Sequence, residues 1–184
     1  MYKIVTVEDK IRVSPEKLSM PKKESVREAI ADKYESVIEP RIGVILAVVD
    51  VEKVGEGKIV AGDAGVHYMA TFKLLTFKPE LHETVYGEVI DNTEFGAFVR
   101  MGPMDGLVHI SQLMDDYVSY DSKNSLFLGK ESKRTLKKGD KVRARIISVS
   151  FAEQQKIGLT MRQAGLGCLN WIDEDRKKRK KEGK

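Results

Sequence analysis

The spacing of apolar residues changes character near residue 80, and this divides the chain into two units of different fold class. Before Pro79 one stretch repeats with a helical period. Residues 22–38 place Val26, Ala29, Ile30, Tyr34, Val37 and Ile38 on a single stripe. Strand-like segments surround it. Residues 2–13 alternate, 42–51 form a continuous apolar run suited to a buried strand, and 66–78 alternate with Val66, Tyr68, Ala70, Phe72 and Leu74 on one face. After about residue 81 the helical period gives way to short strands, predicted at 85–91, 95–101, 107–110, 141–149 and 156–161.

Turn chemistry fills the gaps. Ser14-Pro15 reads as a helix cap with proline in the first turn, opening a short helical segment over 15–18. Pro21 precedes the longer helix and Pro40 marks its exit. Gly55-Glu56-Gly57 predicts a turn, followed by a short strand over 58–61. Gly62-Asp63-Ala64-Gly65 predicts a hairpin tip whose two glycines adopt positive φ. It lacks the GK[ST] ending and following helix of a phosphate loop, so its better use is close backbone approach to a partner. In the second unit, residues 112–137 are polar with apolar islands and read as an irregular or partly helical insertion. Five strands with a long excursion between the third and fourth form the pattern of an OB barrel. Residues 169–181 suit a short helix running into a basic tail.

No apolar run reaches the roughly 18–20 residues that span a bilayer. The first residues, Met1-Tyr2-Lys3-Ile4-Val5, do not read as a secretory signal, so the expected location is cytoplasmic. Cys168 is the single cysteine, and His67, His82 and His109 are scattered, so neither a disulfide nor a metal site is expected. The net charge of +4 conceals a segregation. Residues 176–184 carry +6, residues 130–145 carry +6 and residues 81–129 carry −6. The basic segments are candidates for phosphate contact.

Phe95-Gly96-Ala97-Phe98-Val99 and Leu107-Val108-His109-Ile110-Ser111 put two phenyl rings and an imidazole near one another on the barrel. Single-stranded nucleic acid binds by stacking bases on such rings. Phe95 and Phe98 have opposite strand parity, so joint exposure requires a bulge at Gly96-Ala97. Arg143 and Arg145 share parity and could follow a phosphate backbone, and Lys156 stands at the last turn. Asp91 and Glu94, close to Phe95, oppose phosphate and point to modest, salt-dependent affinity. Asp115, Asp116 and Asp121 form the one dense acidic group, too irregularly placed to argue for a metal nuclease.

The motifs Phe95–Val99, Gly106–Ser111, Lys138-Gly139-Asp140-Lys141-Val142 and Ile157–Arg162, in this order, resemble the S1 RNA-binding domain. Lys58 to Tyr68, with Phe72 and Phe77-Lys78-Pro79, resembles the tip domain of the E-prime family of archaeal RNA polymerase subunits, the counterpart of the seventh subunit of eukaryotic RNA polymerase II. The resemblance implies an α+β, RNP-like tip domain over 1–80, an all-β S1 domain with a five-stranded OB barrel over 81–165 and a C-terminal segment over 166–184. It implies a non-catalytic stalk subunit without a cofactor. Its partners would be a small F-type subunit, the polymerase core near the clamp and emerging single-stranded RNA. Phe95, Phe98 and His109 would face RNA, and Gly62 to Gly65 would sit at the docking tip. Ser150 departs from the S1 pattern, which has an aspartate there. The alternative reading is a free-standing S1 protein acting in translation or RNA decay.

Overall fold

A computed structural model describes residues 1–151 and 156–182, so most of the turn read over 151–155 lies outside the described residues. Two compact units divide between Lys78 and Pro79.

The first unit opens with β1 (Tyr2–Val13), a 3-10 turn (Pro15–Ser19) and α1 (Lys22–Tyr34). It continues with β2 (Ile38–Glu39), β3 (Gly43–Ile59) and β4 (Val66–Phe77). The sheet is antiparallel in the order β1-β4-β3-β2. Alternation along β1 and β4 turns Ile11, Val13, Phe72 and Leu74 to one face, where they bury against Val26 and Ile30 of α1.

The helix stops at Tyr34, four residues short of the expected end. Ser36 takes φ +65°, and its N–H donates to Ile45 O at 2.9 Å. Strand pairing thus claims the backbone, and Ile38 pairs with Val44 in β2 instead of extending the helical stripe. Ser14 makes no side-chain cap; Lys17 N–H donates to its carbonyl.

Gly55-Glu56-Gly57 forms no turn: β3 runs through it with register shifts, one of them between Val54 and Gly57. Gly57 is required by proximity, since a Cβ there would lie 2.8 Å from Val66 Cγ1 and 2.9 Å from the Tyr68 ring. The turn lies at Gly62, φ +86°. Gly65 keeps ordinary φ and instead sits where a Cβ would meet Val13 O at 2.9 Å.

Asp63 latches this hairpin. Its carboxylate accepts from Arg12 Nε at 2.8 Å, from Gly65 N–H at 2.9 Å and bonds His67 Nε2 at 2.8 Å. Arg12 foremost, then Gly65 and His67, hold the Asp63 carboxyl far below its ordinary pKa. Because the folded value is depressed, the latch is fully formed above the ordinary value of 3.8 and is lost only as pH falls through the lower folded one. Asp63→Asn is expected to accelerate hydrogen exchange at the Gly65 amide at neutral pH. Wild-type protein should show that acceleration only in strong acid.

The second unit contains β5 (Thr84–Thr93), β6 (Gly96–Arg100), β7 (Asp105–His109), β8 (Val118–Asp121), β9 (Leu126–Gly129) and β10 (Thr135–Leu136). It ends with β11 (Lys141–Ser150), β12 (Lys156–Thr160), β13 (Gly167–Cys168) and α2 (Leu169–Glu182). Strands β5, β6, β7, β12 and β11 close a barrel through the additional β11–β12 pairing, with β12 parallel to β7.

The insertion is not irregular: β8, β9 and β10 form a small antiparallel sheet. Its anchor is Asn92, a buried amide that donates to Ser125 O at 2.9 Å and Leu136 O at 3.3 Å. A polar side chain inside the fold needs such partners, so Asn92 ties the insertion to the barrel wall. Phe127 and Leu136 supply its apolar core. At the C-terminal end, Trp171 and Ile172 of α2 are buried. Arg134 lies over the Trp171 ring and pairs with Asp175.

Candidate nucleic-acid interface

Strands β6 and β7 pair with Gly96 opposite His109 and Phe98 opposite Leu107. They approach so closely at Gly96 that a Cβ there would lie 2.3 Å from Val108 O. Phe95 stands just before β6, in the turn from β5, and its carbonyl accepts from Ile110 N–H at 2.9 Å. Residues in a turn escape strand parity. The Phe95 and Phe98 rings therefore meet edge to face, centroids 6.0 Å apart, without a bulge at Gly96. The expectation of such a bulge is corrected. The irregularity lies across the ladder in β5, between Val89 and Asp91.

Phe95, Phe98, Leu107, His109, Ile147 and Lys156 line one cleft of about 740 Å³. Phe95 is 50% exposed and Phe98 half-buried, so one ring presents its surface to solvent and the other packs edge-on beside it. Ser111 N–H donates to His109 Nδ1 at 3.3 Å, and the Ser111 hydroxyl lies 2.9 Å from the same atom. With Nδ1 accepting, the neutral ring carries its proton on Nε2 and can donate to a base edge or phosphate. Lys156 stands opposite Ser150 in the β11–β12 ladder, so the basic residue faces a hydroxyl-bearing side chain at the position that departs from the S1 pattern.

Arg143 and Arg145 are not brought into this cleft. Val142, Ala144 and Ile146 fill the barrel, so both arginines project from the outer face of β11. Arg143 donates to Tyr86 Oη at 2.8 Å and Gly165 O at 3.2 Å; Arg145 donates to Gln163 Oε1 at 2.7 Å. Sequence reasoning missed Ile147, which keeps the outward parity of Arg143 and Arg145 and stands at the register shift between Ile146 and Ser148, where it lines the cleft. Asp91 and Glu94 are exposed near the turn.

The remaining acidic group is committed to local structure. Asp115 pairs with Arg162 at 2.9 Å. Asp116 caps the Glu131-Ser132 turn, whose amide and hydroxyl donors lower its pKa to about 2. Asp121 accepts from Lys123 and Asn124 amides. At the tip, Ile59 is 81% exposed beside Gly62 to Gly65, a feature that alternation alone does not single out.

The structure is thus an α+β unit followed by a closed barrel of OB type, with two rings and an imidazole in one surface cleft. The S1 RNA binding domain family matches residues 78–162. The family described as "SHS2 domain found in N terminus of Rpb7p/Rpc25p/MJ0397" matches residues 8–64. DNA-directed RNA polymerase subunit Rpo7 of Saccharolobus shibatae is 39% identical over 180 residues, covering 96% of this chain and all of that protein. DNA-directed RNA polymerase III subunit rpc8 of Dictyostelium discoideum is 24% identical over 153 residues, 82% of this chain and 60% of that protein. Ribonuclease R of Buchnera aphidicola is 39% identical over 84 residues, 45% of this chain but 11% of the enzyme. The chain belongs to the Rpo7 family of DNA-directed RNA polymerase subunits.

Proposed function

We propose that this chain is a non-catalytic stalk subunit of a cytoplasmic DNA-directed RNA polymerase, and that its barrel holds RNA leaving the enzyme. The convergence of Phe95, Phe98, His109 and Lys156 on one cleft carries this reading. Stacking rings bind any base, and one lysine adds a phosphate contact, so the interaction is sequence-tolerant and weakened by salt. The neighbouring Asp91 and Glu94 keep it modest, which suits a strand that must slide. The first unit docks the chain on the polymerase core through the hairpin tip Gly62 to Gly65, with Ile59 as an apolar anchor and Asp63 fixing the loop. A small F-type partner completes the stalk.

Affinity purification of the tagged chain from cell extract tests the assignment. Recovery of the polymerase subunits is expected. Recovery of ribosomes in their place would sink it and restore the free-standing S1 reading. Co-expression with the F-type partner should give a stable complex in which both chains elute together.

A further inference from the structure

Around the barrel wall from the cleft lies a second charged surface that the reading above leaves unused. On β5, Val85 and Val89 point inward, so Thr84, Tyr86 and Glu88 point out. On β11 the outward residues opposite them are Arg145, Arg143 and Lys141 in register. Tyr86 is 61% exposed, and the Arg143 guanidinium lies 5.0 Å from its ring centroid.

The arginines carry charge that is only partly solvated. Both side chains are half-buried, and both Nε groups are buried without a hydrogen-bond partner among the described residues. Arg12, Lys33, Lys73, Arg134 and Arg162 each meet a carboxylate. Among the described residues Arg143 and Arg145 meet none; their partners are a phenol, an amide and a carbonyl. A half-buried guanidinium without a counter-charge is costly until an anion arrives. Three neutral acceptors hold the two forks in place in advance, which lowers the ordering cost of receiving that anion.

The stripe is continuous with the cleft. Ile147 lines the cleft, and Arg145 and Arg143 follow it on the same strand, about 13 Å from Ile147 to Arg143 at strand rise. A lone inorganic anion would need the guanidinium forks but not an exposed ring beside them. An anion chain with flat groups between its charges uses both. We propose that Tyr86, Arg143 and Arg145 form a second nucleotide subsite, in which Tyr86 stacks a base and the arginines hold flanking phosphates of the strand that leaves the cleft. The proposal rests on the cleft being an RNA site. Glu88, opposite Lys141, ends the stripe.

Binding of labelled oligouridine to the full chain tests it with two lengths, about four nucleotides and about twelve, both within the roughly 4–16 nucleotide site sizes of OB folds. Tyr86→Ala and Arg143→Gln should leave the short oligomer's affinity unchanged and weaken the longer one roughly tenfold. Tyr86→Phe should restore the longer one. Arg143→Gln should also reduce the salt slope for the longer oligomer by about 0.7. Phe95→Ala should weaken both lengths; if it weakens neither, the cleft reading itself fails. If Phe95→Ala weakens both while Tyr86→Ala and Arg143→Gln change neither, the second subsite is overturned and the cleft stands. Equal weakening of short and long oligomers by Tyr86→Ala overturns it too, as does unchanged RNA binding with failure to join the polymerase, which would mark a protein contact. Thermal melting of each variant shows that the barrel remains folded.

Discussion

Replacing Phe95 and Phe98 together with alanine is expected to weaken binding of single-stranded RNA by roughly a hundredfold, since each base–aromatic stack contributes about 1–3 kcal/mol. Geometry makes the two rings unequal. Phe95, in the turn, presents half its surface to solvent, while Phe98 stands edge-on behind it and is half-buried. Phe95→Ala alone should therefore remove a platform and leave barrel stability nearly unchanged. Phe98→Ala should also lose packing, shown as a lower urea midpoint. Phe95→Tyr keeps a stacking face and should retain most of the affinity. Fluorescence anisotropy with oligouridine at fixed salt gives the numbers. A double variant within about threefold of wild type would mean the rings do not stack on RNA.

The second large effect is structural. Gly96→Ala puts a Cβ 2.3 Å from Val108 O and 3.0 Å from His109 Cα, and backbone cannot rotate away as a flexible side chain can. Strand β7 must retreat, and the expected loss is about 2–3 kcal/mol of barrel stability, the upper part of the roughly 1–3 kcal/mol range of overpacked cores. That displacement also separates His109 from the rings, so RNA affinity should fall even where the variant is folded. Gly62→Ala is a useful contrast. Nothing lies within 4 Å of its Cβ, and the strain is confined to φ +86° at an exposed tip. Its cost should be about 1 kcal/mol. Urea titrations of the two variants, followed by circular dichroism, compare the clash with the strain. Equal midpoints would refute the argument from proximity.

Much of this arrangement is legible in the sequence because it depends on local period. Alternation through 66–78 gives β4, and the helical stripe through Val26 and Ile30 gives α1. What escapes notice depends on partners far along the chain. Val37 and Ile38 fit the helical stripe, yet Ile45 and Val44 take their backbone into the sheet. Gly55 and Gly57 carry the composition of a turn, but Tyr68 across the ladder is what requires the second of them to be small. The insertion looks shapeless in sequence because its order derives from Asn92, some 33 residues before Ser125, whose carbonyl it binds. At the site, the motif identifies both phenyl rings, but strand parity misjudges their orientation because Phe95 lies one residue outside the strand. Arg143 and Arg145 share a face as their parity indicates, yet only the fold shows that the cleft reaches Ile147 on that face and stops short of the arginines.

The uninterrupted passage of β3 through Gly55-Glu56-Gly57 has a mechanical consequence. Three long strands, Tyr2–Val13, Gly43–Ile59 and Val66–Phe77, lie side by side from the Pro79 end of the unit to its tip. The shifts along β3 increase the local twist of this ribbon. Had the glycines formed a turn, Ile59 would sit on a short finger free to flex. As built, Ile59 ends a strand that is tied through the β3–β4 and β4–β1 ladders to the Phe77 end of the sheet.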